Sequence, residues 1–292
     1  MNFYQINDLE RLSGVKAHTI RIWEKRYGLI MPHRTDTNIR YYDDAQLKKI
    51  LNVAALSMVG FRISKIAAME EEELKGQVKK SQSLELSDKK YEFYINDLIV
   101  AMLDFDESSF NQLLDAIMKQ FGVQEAMIKV VYPFLHKTGV LWRVDETMPV
   151  QEHFATTLLK RKLFTLISLQ PKAKHPDKKI VLFLPSNEWH EIGLLFAEYL
   201  LRLQGYVTVN LGQNVPFVDM ELVLQKVQPQ YLLTFLISDS HEDEIVQLQT
   251  LLLKKYKNIQ CLLAGPHTKM APFVGKKNLN ILNNPADILK VF

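Results

Sequence analysis

The pattern of hydrophobic positions divides these 292 residues into three stretches. Up to about residue 66 these positions mark short helical segments: Asp8 to Leu12, a Ser13-Gly14-Val15 turn, then Ala17 to Tyr27 ending at Gly28. Two short helices around a glycine-containing turn predict a helix-turn-helix. On the second helix Ile20 and Trp23 form an apolar stripe and Lys16, Arg21, Lys25 and Arg26 a charged one, which assigns Trp23 to the core. From Tyr91 to Leu169 the helical period dominates, with four segments separated by short breaks, and a helical bundle is expected. Beyond residue 176, strand-like runs at Ile180 to Leu184, Tyr206 to Leu211, Tyr231 to Ile237, Gln260 to Ala264 and Asn280 to Leu282 alternate with helical runs at Ile192 to Gln204, Val218 to Lys226 and Glu242 to Lys255. That alternation predicts a parallel sheet with right-handed crossovers. The expected fold class is multidomain α plus α/β.

Charge adds a direction. The net charge is only +3, but residues 1 to 66 hold eleven Lys and Arg against six Asp and Glu, leaving 25 against 27 elsewhere. A basic N-terminal module suits approach to a polyanion. After Pro32, the stretch Arg34 to Tyr42 interleaves basic and aromatic residues in a turn-rich loop that can lay guanidiniums and hydroxyls on phosphates. The stretch Glu70 to Glu73 reads as a solvated helix end, and the Lys-, Ser- and Glu-rich residues 76 to 90 as a linker. The single cysteine, Cys261, lies in an apolar run and excludes a disulfide framework. The longest apolar runs are far shorter than the roughly 18 residues of a membrane span, and no signal segment opens the chain. A cytoplasmic protein without a membrane partner is expected.

Candidate chemistry concentrates in Glu188-Trp-His190-Glu-Ile-Gly193, a loop expected to leave a strand's C-terminal end and enter a helix. Open α/β sheets bind ligands at that edge. A histidine there can offer a ring nitrogen to a metal, with a carboxylate two residues earlier fixing its tautomer. Taken alone, the pattern is a weak signal and more often marks an ordinary loop histidine and a helix-start glycine.

The N-terminal seventy residues resemble the winged helix-turn-helix domain of the MerR family of transcription regulators. The residues that carry the likeness are Thr19-Ile-Arg21-x-Trp23-Glu24-x-Arg26-Tyr27-Gly28-Leu29, Pro32-x-Arg34, Asn38-x-Arg40-Tyr41-Tyr42 and Met58-Val-Gly60-Phe61-x-Ile63-x-x-Ile66. The resemblance implies contact with double-stranded operator DNA through Arg21, Lys25, Arg34, Arg40 and Tyr41, and a homo-oligomer, dimer or tetramer. Bundle plus sheet resembles the cobalamin-binding module of methyltransferases and cobalamin-sensing regulators. Glu188, His190 and Gly193 match its D/E-x-H-x-x-G loop, which implies His190 as the lower cobalt ligand. Thr234-Phe-Leu236 and Gly265 match the stretches that admit the nucleotide tail, with Pro266 in place of a second glycine. Trp142, followed by Glu152 and His153, is similar to the arrangement in light-responsive, adenosylcobalamin-dependent MerR-type repressors of carotenoid genes. There these residues cover the upper axial group. Arg143 stands where those proteins carry a cobalt-capturing histidine, and a guanidinium offers no lone pair.

These likenesses divide the chain into a winged helix-turn-helix at 1–75, a linker at 76–90, a four-helix bundle at 91–175 and a Rossmann-like cobalamin-binding domain at 176–292. A cobalamin-binding transcription repressor without catalytic residues is expected, switched by adenosylcobalamin and by light. Two alternatives remain: a regulator whose sheet domain has lost the cofactor and serves oligomerisation or another ligand, and a methylcobalamin-carrying enzyme module.

Overall fold

The computed structural model describes residues 3–84, 89–139, 149–238, 242–266, 270–282 and 287–291. It divides into two compact units, Met1–Ala155 and Thr156–Phe292.

In the first unit α1 (Ile6–Ser13) and α2 (Ala17–Tyr27) are parted by Gly14, whose φ of 74° makes the turn the sequence predicts. Leu9, Leu12, Ile20 and Trp23 are buried. A short antiparallel wing follows, β1 (His33–Arg34) against β2 (Arg40–Tyr41). It is tied to the chain's start by paired backbone bonds between Tyr4 and Tyr42 at 2.8 and 2.9 Å. α3 (Asp44–Met58) begins with a capping box in which Asp43 accepts from the Gln46 amide and Gln46 answers. After α4 (Ile63–Ile66) comes α5 (Glu71–Leu84), so the residues expected to open a linker at 76 continue a helix through 84. Leu74 and Val78 anchor it, and α5 packs on α3. Burial of those two side chains outweighs the low helix propensity of Gly76 and the serines.

The bundle helices are α6 (Lys90–Leu103), α7 (Glu107–Phe121), and a third made of α8 (Val123–Ala126), a π-helical turn (Met127–Val131) and α9 (Tyr132–Gly139). The helix α10 (Pro149–Ser168) follows. α3 packs on α6, and an ion pair between Lys48 and Asp104 closes that contact.

Among the described residues the second unit holds a five-stranded, all-parallel sheet: β3 (His175–Phe183), β4 (Tyr206–Asn210), β5 (Tyr231–Phe235), β6 (Gln260–Ala264) and β7 (Leu279–Leu282), in the order β4-β3-β5-β6-β7. α11 (Ile192–Leu203), α12 (Met220–Val227) and α13 (Glu242–Lys255) make the crossovers between successive strands. β3 starts five residues earlier than its apolar run, through an irregular stretch that pairs His175 with Tyr206 before regular register begins at Lys179. Cys261 is fully buried on β6, as its apolar run predicts, and burial pushes its thiol up to about 12.

Candidate functional site

Strand order places one crevice by topology. The chain passes from β3 to β4 on one side, then crosses to β5 on the other, so the loops after β3 and β5 diverge at a switch point, where open α/β sheets take ligands. Glu188 follows β3 and is completely buried. Its Oε2 accepts hydrogen bonds from the Ile237 amide (2.8 Å), the Ser238 amide (2.8 Å) and the Ser238 hydroxyl (2.9 Å), all just beyond β5. Its Oε1 accepts from the Trp189 and His190 amides at 3.0 and 3.2 Å and lies 2.5 Å from His190 Nδ1. Burial opposes ionisation of this carboxyl. The bonds from His190, the two backbone amides and the Ser238 hydroxyl outweigh it and hold Glu188 far below the usual carboxylate range.

An ionised Glu188 requires His190 Nδ1 to donate, so a neutral ring keeps its lone pair on Nε2. The imidazole is 48% exposed. A buried carboxylate fixes the tautomer and direction of a ring whose other nitrogen is displayed, which is the arrangement of metal-ligating histidines. The loop that carries the pair is braced by the Asn187 amide on Asn214 Oδ1 (2.9 Å), the Asn214 amide on the Glu188 carbonyl (3.2 Å) and the Ser186 amide on Glu244 (3.2 Å). Asn187 itself sits at φ 64°, a left-handed turn that asparagine tolerates.

The other residues matched in the sheet domain have distinct roles. A Cβ on Gly193 would stand 2.8 Å from the ring of Phe235, so this glycine lets α11 pack closely on β5. A Cβ on Gly265 would stand 2.3 Å from the carbonyl oxygen of Leu236, which welds the loop after β6 to the end of β5. Thr234 is fully buried on β5, and its Oγ1 has no hydrogen-bond partner among the described residues. A buried hydroxyl left unsatisfied is costly, and a ligand atom that accepts or donates there would remove the cost. Ionised Glu188 and the ring nitrogen that His190 presents fit a metal-centred group at this crevice. Sequence reasoning missed Ile237 and Ser238, because their contribution is largely backbone N–H and carries no side-chain signature. Trp189, 56% exposed beside His190, was likewise passed over.

In the first unit Glu152 and His153 lie in the first turn of α10, with His153 Nδ1 3.6 Å from Glu152 Oε2 and the imidazole largely exposed. Trp142 and Arg143 lie outside the described residues.

The nucleic-acid candidates share the N-terminal end. Arg21 and Lys25 are exposed on α2, and Arg34 and Arg40 are exposed on the wing. Arg34 Nη1 donates to Asn38 Oδ1 at 2.6 Å, closing a turn in which Asn38 has φ 66°. Arg40 Nε lies 3.6 Å from Glu24 Oε2, and Tyr42 donates to the other oxygen of the same carboxylate at 2.5 Å. Burial first, then that bond, push the Tyr42 phenol above its ordinary range. Tyr41 is held between Phe3, edge-on at 4.9 Å, and His33, stacked at 5.3 Å. Its ring therefore stiffens the wing.

Residues 4–73 match the family model described as MerR HTH family regulatory protein, and residues 94–167 match the B12 binding domain. The chain is 28% identical over 244 residues to the HTH-type transcriptional repressor CarH of Myxococcus xanthus, covering 82% of this chain and 81% of that one. It is 26% identical over 228 residues to the repressor CarA of the same organism, covering 77% and 73%. In fold it is similar to the monomethylamine corrinoid protein of Methanosarcina barkeri, with a TM-score of 0.51 at 16% identity over 65% of this chain and 92% of that one.

Proposed function

We propose that this chain, a MerR-type DNA-binding head joined to a B12-binding module, is a transcription repressor that carries adenosylcobalamin and changes its assembly and operator affinity with the state of that cofactor. The observation that carries the reading is the Glu188–His190 pair at the switch crevice of a chain whose other end is a winged helix-turn-helix. Both named relatives are repressors, which supports a regulator over an enzyme module.

His190 would hold cobalt through Nε2, Glu188 would keep the ring oriented, and Thr234, Leu236 and Gly265 would line the path of the nucleotide tail. Bound adenosylcobalamin supplies a cobalt–carbon bond that light can break. Glu152 and His153 remain candidates for the axial group. Arg21, Lys25, Arg34 and Arg40 would meet phosphates or base edges, with Tyr41 bracing the wing. A ligand shifts an oligomeric equilibrium only through its differential affinity for the two states, so the switch needs adenosylcobalamin to bind the assembled, DNA-competent state more tightly. A cytoplasmic location is part of the same proposal.

The test mixes purified apo-protein with adenosylcobalamin in darkness, removes free cofactor, and records visible spectrum, mass and operator retention before and after green light. The expected result is a retained corrin spectrum with a light-dependent fall in mass and DNA retention. His190→Ala should lose at least tenfold in retained corrin while keeping its far-UV circular dichroism, since removing metal-site residues and their supports costs at least that much. Equal retention by the variant would remove His190 from the site.

A further inference from the structure

The sheet domain is close to neutral in composition yet sharply polarised. The segments that lead into the five strands, residues 169–179, 202–205, 225–230, 253–259 and 274–278, carry eleven basic residues and one acidic one, Asp177. The loops that leave β3 and β5, at 184–191 and 236–244, carry Glu188, Glu191, Glu242, Asp243 and Glu244 among their acids and no Lys or Arg. Because the sheet is parallel, every lead-in segment falls on the same edge, opposite the cofactor crevice.

Helix dipoles explain part of this. Arg202, Lys226, Lys254 and Lys255 sit in the last turns of helices, where a cation is favoured. Lys172, Lys174, Lys178, Lys179, Lys257, Lys276 and Lys277 belong to loops or to β3 and have no such reason. Among the described residues two of the eleven are neutralised locally: Lys255 by Glu221 at 2.6 Å and Arg202 by Glu198 at 2.8 Å. The interleaved residues are amides rather than carboxylates, among them Gln170, Gln204, Gln228, Gln230 and Asn258.

We propose that this basic edge of the sheet domain is a second, sequence-independent DNA-contacting surface that lies on duplex flanking the site read by the winged helix-turn-helix. Five strands spaced roughly 4.8 Å apart make an edge about 19 Å across. Duplex of that length carries on the order of eleven phosphates, and the lysines left without a carboxylate partner among the described residues are enough for the share that faces the edge. Amides among them add neutral donors for phosphate oxygens. The proposal rests on the DNA-binding reading above.

The test uses the full-length protein with Lys174, Lys178, Lys226 and Lys257 all changed to Gln, which keeps their aliphatic stems and alters side chains that are exposed. Affinity for operator duplex with long flanks is measured across a salt series, beside wild type, Arg40→Ala and the matching Lys→Arg set. Each lost phosphate contact lowers the slope of log K on log salt by about 0.9, so the Gln set should lose about 2 to 4 in slope with the operator-to-random preference unchanged. The Arg set should keep the wild-type slope. An unchanged slope in the Gln set, with a lowered one in Arg40→Ala, overturns the second surface. Equal losses in the Gln and Arg sets would trace the effect to folding and overturn it too, as would an unchanged DNA slope with lost retention on polyglutamate, which would assign the edge to an acidic protein. Wild type that binds no duplex even at low salt defeats the regulator reading itself.

Discussion

His190 Nδ1 lies 2.5 Å from Oε1 of Glu188, and the two residues differ in burial: the carboxylate has no solvent exposure and the imidazole is about half exposed. The buried partner is the instrument and the exposed one the tool. Both carboxylate oxygens of Glu188 accept from donors, Oε1 from the loop after β3 and Oε2 from the loop after β5, so it clamps the crevice as well as orienting the ring.

Glu188→Gln should therefore do two things at once. Turned to serve Ile237 and Ser238 with its oxygen, the amide presents an NH2 to the Trp189 and His190 amides and to His190 Nδ1. Opposed donors and a lost buried charge should cost on the order of 3 kcal/mol in denaturant unfolding. The ring is expected to answer by accepting at Nδ1, which moves its proton to Nε2 and withdraws the lone pair from the crevice. Long-range proton–nitrogen correlation on labelled histidine reads the tautomer; Nε2 still unprotonated in the variant would show that Glu188 does not set it.

The two matched glycines should respond differently to alanine. At Gly193 the added methyl meets the side chain of Phe235, and overpacking of this kind costs about 1–3 kcal/mol. Phe235→Leu in the same chain should recover part of the loss. At Gly265 the obstacle is the Leu236 backbone carbonyl, which has no rotamer to adopt, so Gly265→Ala should cost more and resist rescue by any side-chain change. Thermal melts of the singles and of the Gly193→Ala/Phe235→Leu double decide it, and a Gly193→Ala loss that Phe235→Leu leaves unchanged would contradict the packing described here.

Element types were largely legible because their causes are local. Gly14, the Ile20 and Trp23 stripe and the alternation beyond residue 176 each act within a few residues of chain. What escaped was non-local. Residues 76–84 read as a linker from Gly76 and the serines, yet Leu74 and Val78 find a partner in α3, and no window of sequence shows that partner. At the site, the carboxylate and histidine were visible as a motif, whereas the donors that hold them come from a strand end about fifty residues away. The role of Gly193 was visible only in part, because what approaches it is this chain's own Phe235.

Asp97 gives the first unit a pH dependence. It lies on α6 against α5, where burial raises its carboxyl to about 6 from 3.8 while a hydrogen bond from Gln82 and the charge of Lys79 pull the other way. A folded value above the unfolded one means a favourable contribution below about pH 4 that is lost as pH rises through about 6. The change is on the order of 2–3 kcal/mol. Asp97→Asn should match wild-type stability near pH 4 and exceed it at pH 8. Urea unfolding at both values checks this, and a constant difference between the proteins would mean that Asp97 titrates normally.

Thr234 offers a change of sign rather than of size. Its hydroxyl is fully buried and has no hydrogen-bond partner among the described residues, so the apo-protein bears a desolvation cost that valine, nearly the same shape, would remove. Thr234→Val should stabilise the apo-protein by about 1 kcal/mol. If the hydroxyl is left unsatisfied because the nucleotide tail of cobalamin satisfies it, the same variant should bind cobalamin more weakly, by roughly tenfold for a lost bond of about 1.4 kcal/mol. A merely structural threonine would move both measurements in one direction or leave binding untouched. Melting the apo-protein and titrating the variant with hydroxocobalamin therefore separates a tail-binding residue from a packing one, and a stabilised variant with unchanged affinity would take Thr234 out of the site.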